Sequence, residues 1–271
     1  MTSGPVQRTS IVMRSSKVIE HGRRPFVISL GLAGTLALFT AIRFVLMVHI
    51  LSPTQYGRLN IFLTLANVLP LVMNLGIPWQ VERIALKNGG SSTSRLVRSG
   101  WKLNLAVSIP TLIVVGLIIR PFADGQLGIL TVATWAVAVG TSMTTIYAQI
   151  LLGLGHRSSS ALMLFIVNGG LTLALIPGIL LGHTTVPVIM ATWGALAIAT
   201  CGVAHWITVE VGRHVPERSN KSERVSISEG LRSVFAQAGP WVMVFVVRDL
   251  LGLYVGSAAV AVYAISSTVT D

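Results

Sequence analysis

The sequence predicts an all-α polytopic membrane protein, with a six-helix amino-terminal lobe followed by the seventh and part of the eighth transmembrane helix. Hydrophobic residues make up 52% of the 271 and charged residues only 11%, and the mean hydropathy is +0.75. Soluble domains carry roughly 25% charged residues, so this composition is typical of a chain that crosses a lipid bilayer several times. The lengths of the apolar stretches and the placement of the basic residues support the same prediction.

Seven apolar stretches approach the length of about 20 residues that a membrane-spanning helix needs. They cover residues 26–51, 60–78, 103–119, 127–152, 160–181, 186–208 and 233–255, and an eighth begins near Ser257. Turn signals separate them at Ser52-Pro53, Pro78, Gly89-Gly90, Pro121, Gly155-His156 and Gly182-His183. The first stretch is much longer than the apolar core of a cleaved signal peptide, about 7–15 residues, so we expect it to remain as a helix.

The lysines and arginines concentrate in alternate connections between these stretches. Five lie in each of the amino-terminal segment, the second connection and the sixth, and the fourth has Arg157. The first and third connections have one each, Arg58 and Arg120, and the fifth has none. By the positive-inside rule the amino terminus is cytoplasmic, as expected of a multi-pass protein of the inner (plasma) membrane. Because the net charge of +11 lies between apolar spans and forms no continuous basic face, nucleic acid is excluded as a partner.

The connections divide the chain into a cytoplasmic segment (1–25), the six-helix lobe (26–208), a cytoplasmic linker (209–231) and the incomplete start of a second lobe (232–271). The linker is polar enough to hold an amphipathic helix on the inner surface. A shift of 205 residues superposes Arg43, Leu46 and Ser52 on Arg248, Leu251 and Ser257. These identities indicate either a repeat of the first helix in the seventh or a chance match.

Arg43 and Arg248 are the basic residues inside predicted spans. An arginine at the centre of a span costs about 2.5–3.5 kcal/mol on insertion scales, so it normally faces a cavity or a partner. Arg43 either faces a substrate or extends toward the outer interface, since it lies about 12 Å from its helix end. Arg248, with Asp249 beside it, either faces the same cavity or forms a salt bridge to another helix. Asn74 and Gln149 are amides that either join helices or line a polar path.

The remaining residues favour no enzyme and no cofactor. Only Asp249 among the nine acidic residues lies clearly within a span, so no carboxylate pair for acid–base catalysis is expected. Cys201 is the sole cysteine, the six histidines have no metal-ligand spacing, and no phosphate-binding loop motif is present.

Short motifs resemble those of a known family of transporters. They are Leu51-Ser-Pro-Thr-Gln-Tyr-Gly57, the second span ending in Leu75-Gly-Ile-Pro78 before Arg83, and the stretch from Arg248 to Tyr263. In these, the chain resembles the polysaccharide-biosynthesis, or oligosaccharide flippase, branch of the multidrug/oligosaccharidyl-lipid/polysaccharide exporter superfamily.

The resemblance implies two six-helix lobes around a central cavity that move undecaprenyl-diphosphate-linked glycans across the inner membrane by alternating access. It implies that Arg43, an arginine of the first helix, binds the lipid diphosphate. Arg248 is the second candidate for that role, because a guanidinium group suits a diphosphate, and Asp249, Asn74 and Gln149 are further candidate substrate-binding residues. A glycan polymerase or glycosyltransferases are the expected partners. Because the chain stops in the eighth helix, we expect a fragment or a half-length protein. The alternatives are a cation-coupled drug exporter of the same superfamily and a non-transporting membrane assembly subunit. Cation coupling would require more acidic residues within the predicted spans.

Overall fold

A computed structural model describes residues 31–32, 34–180, 182, 184–216 and 225–270. In these residues the chain is almost entirely helical. The helices are α1 (Gly34–Ile50), α2 (Pro53–Asn74), α3 (Pro78–Asn88), α4 (Thr93–Ile119), α5 (Leu127–Gly153), α6 (Arg157–Leu180), α7 (Val186–His214), α8 (Ile227–Tyr254) and α9 (Ser257–Thr270). Within this described part, α2, α4, α5, α6 and α7 are long and apolar enough to cross a membrane. The predicted class, an all-α polytopic membrane protein, is confirmed.

The second span begins earlier than the predicted residue 60, because α2 starts directly after a two-residue turn. Ser52 caps the helix: its hydroxyl accepts from the Gln55 amide nitrogen at 3.3 Å, and its own amide donates to Oε1 of Gln55 at 3.2 Å. This reciprocal capping box, with Pro53 in the first helical position, is a strong start signal. The helix ends at Asn74, followed by Leu75 at φ 44° and Gly76 at φ 64°.

The sequence predicted an amphipathic helix in the linker (209–231), but the structure has one in the second connection, where only a loop was predicted. This helix, α3, buries Gln80, Val81, Ile84 and Ala85 and exposes Leu86 and Lys87. The sixth connection is shorter than the predicted linker, because α7 continues to His214 and α8 begins at Ile227. No amphipathic helix occurs in its described residues, and residues 217–224 lie outside them.

Helix α5 forms the centre of the bundle. It packs against α2, α3, α4, α6 and α7, and it buries Val137, Met143, Tyr147 and Ile150 completely. Helix α1 lies against α6, where the rings of Phe39 and Phe165 are 5.6 Å apart. The hairpin of α8 and α9 packs on α2. Helix α2 is therefore shared between the bundle and the hairpin.

The basic residues of the described chain gather at one end of the bundle. Gly76, after α2, touches Gly230 at the start of α8, and Gly90, before α4, touches the end of α7. That end carries Arg83, Lys87, Arg95, Arg98, Lys102, Arg157, Arg213 and Arg232. At the other end, Arg58 is paired with Asp124. The alternation of basic and non-basic connections along the sequence thus becomes a difference in charge between the two ends of the folded bundle.

The α8–α9 hairpin matches the α1–α2 hairpin in its helix boundaries. Helix α1 ends at Ile50 and α2 begins at Pro53, while α8 ends at Tyr254 and α9 begins at Ser257. The shift of 205 residues therefore places both turns within one residue of each other. This agreement extends the sequence match from three residues to two helices and their turn.

Candidate functional site

The backbones of α2 and α9 come very close near the end of the bundle that has few basic residues. A Cβ atom added to Gly57 would collide with the carbonyl oxygen of Ser257 and touch the amide of Ala261. Only glycine leaves room for this approach. Further along, Gly252 of α8 sits against Ile61 of α2 and Phe122. The hairpin is thereby held against the face of α2 that also carries Tyr56 and Thr64.

Arg248 is bound to this face by a hydrogen bond. Its Nη1 donates to Oγ1 of Thr64 at 2.7 Å, and Thr64 is only 1% exposed. Among the described residues, the buried Nε atom of Arg248 and the buried Oδ1 atom of Asp249 have no hydrogen-bond partner. Among the described residues no carboxylate pairs with Arg248, so the predicted alternative of a salt bridge to another helix is not found there.

Arg43 lies on α1, partly buried, and makes no hydrogen bond or ion pair with any described residue. The phenol of Tyr56, which is 4% exposed, is close enough to interact electrostatically with both Arg43 and Arg248. Arg248 also interacts with Tyr263 of α9, and more strongly than with Tyr56. Tyr56 therefore lies within electrostatic range of arginines on two different helices. We call Arg43, Tyr56, Thr64 and Arg248 the arginine site.

Asn74 and Gln149 lie at a second place, near the basic end. They line a pocket of about 330 Å³ between α2, α3 and α5, together with Thr145, Glu82 and Trp79. Asn74 also joins helices, because its Oδ1 accepts from Ser142 at 2.7 Å, and Ser142 accepts from Asn104 at 2.5 Å. It therefore has both roles that the sequence left open, a helix-joining role and a place on a polar surface. We call this cavity the amide pocket.

The two places are separated along α2. Asn74 follows Thr64 by ten residues, which is about 15 Å at 1.5 Å per residue. The sequence-predicted residues therefore divide into two groups: Arg43 and Arg248 in the arginine site, and Asn74 with Gln149 in the amide pocket. Asp249 is next to Arg248 in sequence but forms no hydrogen bond or ion pair with a described residue of either group. A single helix connects the groups.

A third contact joins the start of α8 to α3. The side-chain amide of Gln80 donates to the Ser226 carbonyl at 3.0 Å and accepts from the Ser226 amide at 2.9 Å. Beside it, Gly230 packs against the carbonyl of Leu75, and Arg83 lies 3.8 Å from Glu229. We call this contact the clasp.

Sequence reasoning missed Tyr56, Thr64, Gln80 and Glu82 as site residues. Tyr56 was within the recognised turn motif, so a signal for it existed. No sequence signal indicated Thr64, since a threonine in an apolar helix usually bonds to the backbone of its own helix. Thr64 also forms such a bond, because its hydroxyl donates to the Asn60 carbonyl at 2.8 Å. The described residues contain no cluster of three metal-binding side chains.

Comparisons with models of protein families, with curated proteins and with solved structures found no match to this chain. The arginine site, the amide pocket and the shared helix α2 are therefore interpreted from their own chemistry.

Proposed function

We propose that this chain is a membrane transporter, a flippase that carries a lipid-diphosphate-linked oligosaccharide across the plasma membrane for cell-surface polysaccharide synthesis. One observation carries the proposal: Arg43 and Arg248 both lie within electrostatic range of Tyr56, and neither is paired with a carboxylate in the described part of the chain. Cations in spanning helices are expensive unless something compensates them. An anionic substrate would supply that compensation.

The arginine site suits a diphosphate. Guanidinium groups bind phosphate oxygens through two parallel hydrogen bonds, and these charge-assisted bonds are stronger than neutral ones. Neither Arg43 nor the Nε atom of Arg248 forms a hydrogen bond with a described residue, so donors remain for a ligand. The buried phenol of Tyr56 adds a further donor beside both. A polyprenyl chain attached to the diphosphate could remain in the bilayer.

The polarity of the bundle supports an orientation. The end that carries most described basic residues would face the cytoplasm, and the amino terminus would lie on the same side by the positive-inside rule. The glycan would then be taken up at the basic end and released at the other. Glycosyltransferases that make it, or a polymerase that extends it, are the proposed partners.

Binding of undecaprenyl diphosphate to the purified full chain, measured against neutral undecaprenol, tests the proposal. We expect the diphosphate to bind much more tightly than the alcohol. Arg43→Gln and Arg248→Gln should each weaken diphosphate binding by about tenfold or more, since a charge-assisted hydrogen bond contributes about 1.5–3 kcal/mol. Arg232→Gln, an exposed position at the other end of α8, is the matched control and should leave binding unchanged.

Equal binding of the diphosphate and the alcohol would contradict the proposal. So would diphosphate binding that survives the Arg43→Gln and Arg248→Gln double variant. Either result would favour an assembly subunit or a drug exporter over a flippase for lipid diphosphates.

A further inference from the structure

The amide pocket contains several polar side chains whose hydrogen-bonding capacity is not used up by described residues. Gln149 and Glu82 make no hydrogen bond or ion pair with any described residue. The Thr145 hydroxyl donates to the Thr141 carbonyl at 2.8 Å and can still accept. Asn74 uses its carbonyl oxygen on Ser142, which leaves its amide hydrogens. The pocket therefore offers both donors and acceptors to a ligand.

This mixture fits hydroxyl groups better than an anion. A hydroxyl both donates and accepts, so it can pair with an amide and with a carboxylate. The carboxylate of Glu82 would repel a diphosphate placed beside it. A volume of about 330 Å³ lies at the lower end of the range for small-molecule sites, about 300–1,000 Å³.

Trp79 adds an apolar surface to the same pocket. It is 42% exposed and is steadied by Arg83, whose guanidinium carbon lies 5.2 Å from the ring centroid. A partly exposed indole gives a flat apolar face with a polar edge. The C–H face of a sugar ring is a suitable partner for such a surface, while its hydroxyls reach the amides.

We infer that the amide pocket binds a sugar of the transported glycan, while the arginine site holds its diphosphate. The inference rests on the proposed function and deepens it by dividing the substrate between two places. The separation of about 15 Å along α2 requires that the bound sugar be one beyond the first, since the diphosphate is attached directly to the first sugar. The pocket thereby gives the transporter a means of distinguishing a glycosylated lipid from a bare one.

The test compares bare undecaprenyl diphosphate with undecaprenyl diphosphates that carry tetrasaccharides of glucose, galactose, mannose or N-acetylglucosamine. We expect at least one glycosylated probe to bind the purified full chain about tenfold more tightly than the bare lipid, a ratio that one or two hydrogen bonds can supply. Gln149→Leu, Glu82→Gln and Trp79→Ala should each reduce that preference severalfold. Their affinity for the bare lipid should stay within about twofold of the wild-type value.

Two controls match the variants. Gln126→Leu changes an exposed glutamine at the opposite end of α5, and Trp206→Ala removes an indole that is 67% exposed on α7. Both should keep the full glycan preference. Variants are compared only if they elute as the wild type does and melt within a few degrees of it.

The two proposals fail in different ways. If no glycosylated probe binds better than the bare lipid, or if the pocket variants keep the preference, the amide pocket is not a sugar site, whatever the arginine variants do. If the pocket variants lose the preference but Arg43→Gln and Arg248→Gln change nothing, the pocket binds sugar and the diphosphate assignment is wrong.

Discussion

At the scale of single residues, the bond from Arg248 to Thr64 explains how a guanidinium is accommodated between helices. The hydroxyl of Thr64 accepts from Nη1 at 2.7 Å and donates to the Asn60 carbonyl. The Thr64 hydroxyl therefore connects the guanidinium group of Arg248 to the backbone carbonyl dipole of Asn60. Asp249 is next to Arg248 in sequence, but neighbouring helical residues point in different directions, and its Oδ1 has no partner among the described residues.

Thr64→Val tests this arrangement without changing the volume much. The variant removes the hydroxyl that accepts the hydrogen bond from Nη1 of Arg248. We expect a loss of stability of about 0.6 kcal/mol, and at most about 1.7 kcal/mol, the average and the maximum measured for polar bonds between membrane helices. A double-mutant cycle with Arg248→Met, read by unfolding in a denaturing detergent, isolates the pair. Thr192→Val, whose exposed hydroxyl bonds only to its own helix, is the control. Additive effects of Thr64→Val and Arg248→Met would mean that the bond contributes nothing.

At the scale of helices, α2 is the helix against which both the bundle around α5 and the α8–α9 hairpin pack. Its residues are buried on nearly all sides, including Tyr56, Leu59, Phe62 and Met73. One face belongs to the bundle through α5, and another receives the α8–α9 hairpin. Glycines at Gly57 and Gly252 make the second contact close. Small residues serve this purpose generally in membrane helices, since apolar side chains gain little by leaving lipid.

Gly57→Val should separate α9 from α2. Its side chain would collide with the Ser257 carbonyl and the backbone at Ala261, and overpacking of this kind costs about 1–3 kcal/mol. We expect a lower melting temperature of the purified chain and easier proteolysis of the α8–α9 hairpin. Gly202→Val on α7 adds the same side chain where nothing lies within 4 Å and should change neither. Equal behaviour of the two variants would show that the close approach does not occur.

At the scale of the whole molecule, the hairpin is attached to the first bundle at three levels. Gly57 and Ser257 meet at one end, Thr64 and Arg248 in the middle, and the clasp of Gln80 and Ser226 closes the basic end. A transporter that works by alternating access must open one end at a time. The clasp has bonds that can be broken and remade, namely two amide hydrogen bonds and a weak, exposed ion pair.

Cross-linking the clasp tests whether it opens. Arg83→Cys and Glu229→Cys, in a Cys201→Ser background, place one thiol on each side of the clasp, at two positions whose native side chains reach within 3.8 Å of each other. A reducible reagent with two thiol-reactive groups should join them. If the chain is the proposed flippase, the cross-link should stop translocation of a lipid diphosphate in proteoliposomes, and reduction should restore it. Each single-cysteine variant, treated in the same way, is the control. Full translocation by the cross-linked protein would show that the clasp is a static joint.

Several features could be predicted from the sequence because they depend on local properties. Apolar stretches and turn residues predicted approximately where the long apolar helices lie, although the capping box at Ser52 and the amphipathic α3 were missed. The identities at a shift of 205 residues left a repeat and a chance match open, and the matching boundaries of the two hairpins agree with a repeat. Helix α3 was missed because its apolar pattern is short and bounded by glycine and proline. Arg43 and Arg248 were found because a charge inside a long apolar segment is conspicuous.

By itself, the sequence determined that this protein is a helical membrane protein, approximately where its spans lie, and which charges are out of place in them. Only the tertiary structure decided that Arg43 and Arg248 share Tyr56, that Thr64 receives Arg248, and that Gln149 meets Glu82 and Trp79 instead of the arginines. The physical reason is that hydropathy and capping act over a few residues. Contacts between α2 and the α8–α9 hairpin, in contrast, depend on how closely their backbones pack, and single glycines such as Gly57 decide that.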